Sequence, residues 1–93
     1  MAWNVPLTDV TVGEDEIEAA TRVMRSGWLT QGEEVERFER TLAEMLGVAH
    51  AAAVANGTTA LHLAYQAVGL GPGDEFILPA LTFVATMSAG LYL

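Results

Sequence analysis

An α/β fold is expected for this chain of 93 residues, with two N-terminal helices leading into a β-α-β-α stretch. Three observations predict it. Apolar residues recur at helical spacing through the first half. Two short apolar runs bounded by turn residues then follow, the mark of strands covered on both faces. The segment between those runs is long enough to return the chain for parallel pairing.

Taken in order, residues 1–12 read as an extended lead-in, because Pro6 disfavours helix just before it. Thr11 stands three residues before Glu14, as in a capping box. Glu14, Asp15 and Glu16 suit the first turn of a helix, where the macrodipole favours anions. Ile17, Ala20, Val23 and Met24 make its apolar stripe, and Gly27 is the expected stop. Trp28 to Gly32 is a loop in which Trp28 either faces a ligand or packs between helices.

A second helix is expected from Glu33 to Leu46. Its stripe is Val35, Phe38, Leu42, Met45 and Leu46, and Glu33–Arg37 and Glu36–Arg40 are spaced as i,i+4 pairs. Gly47 ends it, so residues 13–47 form a two-helix segment. Residues 48–93 follow as β-α-β-α. Val48 to Ala55 is the first expected strand, although its alanines are poor strand formers. Thr58 to Val68 is a helix, Gly69 to Asp74 a turn, Glu75 to Leu78 a second strand, and Thr82 to Leu93 a last helix. That helix reaches Leu93 with no cap, so the chain reads as truncated.

Composition removes several functions. Residues are 52% hydrophobic and 17% charged, which speaks against disorder. Twelve acidic residues against four basic ones give a net charge of -8. Phosphate backbones need basic partners, so nucleic acid is excluded as a ligand, and anionic membrane surfaces are disfavoured likewise. No cysteine is present, which excludes disulfides, thiolate metal sites and a cysteine nucleophile. Lysine is absent too, the basic residues being Arg22, Arg25, Arg37 and Arg40. Chemistry that needs an amine side chain is therefore excluded within this chain, and no residue is assigned a catalytic role. His50 and His62 lack a third ligand at metal spacing. The N-terminus lacks a basic segment followed by an apolar one, and no apolar run reaches the roughly 20 residues that span a bilayer. A cytoplasmic protein is expected.

The most informative stretch is Asn56-Gly57-Thr58-Thr59-Ala60-Leu61-His62, where a strand gives way to a helix. Its backbone N–H groups and the Thr58 and Thr59 hydroxyls form a cradle for phosphate without basic side chains. The same residues equally make a plain turn with a threonine N-cap. Phe83, beyond the second strand, either covers a planar ring or belongs to the core.

Further stretches extend the pattern: Pro6-Leu7, Gly13-Glu14, Ser26-Gly27-Trp28-Leu29-Thr30-Gln31-Gly32, Phe38-Glu39, Gly47-Val48, Gly71-Pro72-Gly73-Asp74-Glu75, and Pro79 with Thr82-Phe83-Val84-Ala85-Thr86. Together with residues 56–64 they resemble the start of the DegT/DnrJ/StrS family of sugar aminotransferases. The resemblance implies the large domain of a fold-type-I transferase dependent on pyridoxal phosphate. It implies that Gly57, Thr58 and Thr59 hold the cofactor phosphate and that Phe83 stacks on its ring. It further implies a nucleotide-linked keto-sugar substrate, a glutamate or glutamine amino donor, and a homodimer. The acidic residue and lysine that complete such sites lie downstream of this stretch in the family, so the chain is expected to be inactive alone. Some relatives replace that lysine with histidine and dehydrate sugars instead. Two other readings stand beside this one: a non-catalytic partner of a full-length relative, and a small module that binds a phosphate ligand.

Overall fold

The computed structural model describes residues 9–93. Most of the expected lead-in, with Pro6 and Leu7, lies outside the described residues. The chain divides into two compact units, one ending at Ala51 and the other running Ala52–Leu93.

The first unit carries helices α1 (Glu14–Ser26) and α2 (Glu33–Leu46). The capping residue of α1 is Gly13 rather than Thr11. The Glu16 carboxylate turns back to accept the Gly13 N–H at 2.7 Å, the glutamate half of a capping box. Both helices stop where expected, on Gly27 (φ 73°) and Gly47 (φ 66°). Left-handed backbone of this kind costs least at glycine. The expected i,i+4 ion pairs are replaced by a different set. Glu34 accepts from Arg37 at 2.6 Å and from Arg22 of α1 at 3.3 Å. One carboxylate thereby engages two guanidinium groups, a more compact arrangement than two separate pairs.

In the second unit, α3 (Gly57–Ala67) packs against α4 (Ala85–Leu91). Ala85 and Ala89 are buried, and their small side chains let the helices approach. Two larger residues of α3 lock the contact. Tyr65 donates its hydroxyl to the Thr86 carbonyl at 2.9 Å, and His62 Nδ1 lies 3.1 Å from the Ala89 carbonyl. The Phe76 ring lies against Tyr65, with centroids 5.5 Å apart. The intervening turn is held by Asp74, whose carboxylate accepts the Gly71 N–H at 2.9 Å.

The expected α/β fold is not what the chain adopts. Among the described residues there are four helices and no strand. The β-α-β-α reading, and with it the sheet of a fold-type-I transferase, is corrected on this point. Strand pairing needs a neighbour at about 4.8 Å, and neither expected strand finds one. The boundary between the units falls inside the first, between Ala51 and Ala52. In the second, Ile77 is fully exposed. The last helix is also shorter than the Thr82 to Leu93 expected, because residues 82–84 lie outside its helical turns. No helix among the described residues is long and apolar enough to cross a membrane.

Candidate functional site

The site is built from the N-terminus of α3. Asn56 is extended (φ -166°, ψ 171°) and caps the helix. Its carboxamide oxygen accepts the Thr59 N–H at 2.9 Å and the Thr59 hydroxyl at 3.1 Å. Asparagine is among the preferred residues here because its short side chain reaches an otherwise unpaired donor. The cap is therefore Asn56, not a threonine, and both donors of Thr59 are directed to it.

Two donors are left over. The amides of Gly57 and Thr58 make no hydrogen bond within the described residues, and the Thr58 side chain is half-buried beside them. The first turn carries no acidic side chain, so nothing there opposes an anion. Gly57 does not have positive φ, and a Cβ built on it meets nothing within 4 Å. Its place in the sequence is thus not imposed by the turn. What glycine does is leave the face over the free amides open. These donors fit a phosphate monoester: they point outward from a helix N-terminus, where the macrodipole adds a positive field.

Phe83 sits two residues before α4, and its carbonyl accepts the Thr86 N–H at 3.0 Å. Its side chain is 75% exposed, so it is not core. His62 is occupied by the α4 carbonyl, and His50 is exposed. No cluster of residues able to hold a metal exists among the described residues. Sequence reasoning missed the role of Asn56. The available signal was an asparagine three residues before Thr59, the spacing of a side-chain N-cap.

The sequence profile of the DegT/DnrJ/EryC1/StrS aminotransferase family matches residues 10–93. The spore coat polysaccharide biosynthesis protein SpsC of Bacillus subtilis (strain 168) is 43% identical over 86 residues, which is 92% of this chain. The chain spans 21% of the length of that relative. No solved structure matches the chain significantly.

Proposed function

The chain belongs to the DegT/DnrJ/EryC1/StrS aminotransferase family, and from that premise we propose that it is the N-terminal portion of a pyridoxal-phosphate-dependent enzyme acting on nucleotide-linked keto-sugars. The observation that carries this reading is the capped N-terminus of α3 with its unpaired Gly57 and Thr58 amides. Bound there, the cofactor supplies an electron sink for amino-group transfer.

Each residue has a defined part. The Gly57 and Thr58 amides bind the phosphate, and the Thr58 hydroxyl adds a third donor. Asn56 keeps the helix end open and fixed by holding Thr59. The Thr59 hydroxyl exchanges its longer bond to Asn56 for one to phosphate. The exposed face of Phe83 covers the pyridine ring and excludes water from that side. None of these groups moves a proton at a substrate carbon. The chain has no lysine, and no other side chain in it carries an amine. The residues present bind and orient, so the chain alone is inactive. The reading carries with it a glutamate or glutamine amino donor, a dimeric state and a cytoplasmic setting.

The test is a titration of the full chain with pyridoxal phosphate, followed by borohydride reduction and mapping of any adduct by mass spectrometry. Weak, reversible binding is expected, with no stoichiometric adduct on an internal residue. Thr58→Val and Phe83→Ala should each weaken binding about tenfold, the loss of one hydrogen bond to a charged group or one ring contact. Unchanged affinity in both variants would sink the site. An internal adduct, or turnover of a keto-sugar, would sink the claim of inactivity.

A further inference from the structure

An aromatic ring covers a flat ligand only if it is aimed, and packing does not aim Phe83. Its side chain is 75% exposed, and neither ring contact among the described residues includes it. The rotamer of such a side chain follows from its backbone. Whatever fixes the backbone at residue 83 therefore sets the direction of the ring.

Thr86 supplies that restraint with its amide, hydroxyl and carbonyl together. The amide donates to the Phe83 carbonyl at 3.0 Å. The hydroxyl pairs with the Thr82 hydroxyl at 2.9 Å. These two bonds close residues 82–86 into a turn with Phe83 inside it. The carbonyl accepts the Tyr65 hydroxyl at 2.9 Å, across 21 positions of sequence. That bond ties the turn to α3, the helix whose N-terminus carries the Gly57 and Thr58 amides. The anchorage is needed, because α4 has seven residues and no side-chain cap at Val84, and so short a helix is marginal alone. Tyr65 is itself half-buried, its ring resting against Phe76. Ring packing thus places Tyr65, and the hydroxyl passes that placement on to Thr86. Phenylalanine at position 65 would keep the first and lose the second.

We propose that Tyr65 is a positioning residue for the candidate site: through Thr86 it sets the direction in which Phe83 presents its ring face. The proposal rests on the reading of Phe83 as the cover of the cofactor ring. Tyr65 touches neither phosphate nor ring, so its hydroxyl matters for a ligand with a ring and not for phosphate alone. The second tie between the helices, His62 to the Ala89 carbonyl, does not engage the turn. It is the control for a general loosening of the helix contact.

The experiment uses the full chain carrying a fluorinated phenylalanine at position 83, so that its first readout needs no ligand. Tyr65→Phe should shift or broaden the fluorine NMR signal. It should also lower exchange protection of the Thr86 amide about fivefold, the loss of one hydrogen bond. His62→Leu should leave both unchanged. The second readout is affinity. Tyr65→Phe should weaken pyridoxal phosphate binding about three- to tenfold and keep inorganic phosphate binding within about twofold. Added to Phe83→Ala it should cost nothing more, because the two residues act in series. A fluorine signal and Thr86 protection untouched by Tyr65→Phe would overturn the proposal. So would equal effects of His62→Leu, additive losses with Phe83→Ala, or weakened binding of inorganic phosphate. Pyridoxal phosphate affinity unchanged by Phe83→Ala would strike the ring cover itself and this role in binding with it, whereas an unmoved fluorine signal strikes the Tyr65 step alone.

Discussion

Asn56 does two jobs that point in opposite directions. It satisfies one backbone donor of α3, the Thr59 amide, and takes the Thr59 hydroxyl as well. By doing so it limits the free donors to Gly57 and Thr58. A cap of this type contributes about 1 kcal/mol, roughly a fivefold change in a local opening equilibrium. Asn56→Ala is therefore expected to lower hydrogen-exchange protection of the Thr59 amide about fivefold. Equal protection in the variant would show that the carboxamide does not hold the helix end. Aspartate at this position should keep the cap yet weaken phosphate binding, since it sets a negative charge beside the free amides.

Among the elements, α4 depends on the absence of a side chain. A Cβ on Gly90 would lie 2.6 Å from Phe76 Cζ and 2.8 Å from Cε1. Two effects oppose each other in Gly90→Ala. Alanine favours helix by up to about 1 kcal/mol, whereas crowding a packed ring costs about 1–3 kcal/mol. The crowding wins, so α4 amides should lose protection and the Tyr65–Phe76 ring contact should loosen. In a Phe76→Ala background the sign should reverse, because only the helix preference then remains. A loss of protection in both backgrounds would show that Phe76 is not the obstacle. The same scale explains what was legible in the sequence. Three helices were found to within a residue or two because periodicity and the stops at Gly27 and Gly47 are local signals. The expected start at Thr82 lies three residues ahead of α4, since Thr82 pairs with Thr86 through its side chain and lies outside the helix. The two expected strands were not forecast correctly, for apolar runs state what a segment prefers to bury and not whether a partner strand exists. Of the site, the helix N-terminus was legible. The division of its donors between Asn56 and free amides was not, because it depends on one rotamer.

For the molecule as a whole, burial sets the limit. Among the described residues only Ala43, Ala85 and Ala89 are buried. Full burial of a large apolar side chain contributes about 1.5–3 kcal/mol, and among the described residues no side chain larger than alanine is fully buried. Ordering each residue costs about 1–2 kcal/mol in backbone entropy. Val68, Ile77, Leu81 and Phe83 are all at least three-quarters exposed, and each would gain by leaving water. Helices of 7 to 14 residues are also marginal without packing. The gain is available through contacts between chains, where the same apolar surfaces cover one another. The isolated chain is accordingly expected to be molten or self-associated, with helical circular dichroism but no sharp thermal transition. Sedimentation should show species heavier than the monomer, or an expanded monomer that binds a hydrophobic dye. A monodisperse, compact monomer with a cooperative calorimetric transition would show that these few buried alanines, with the Tyr65 and His62 contacts, suffice.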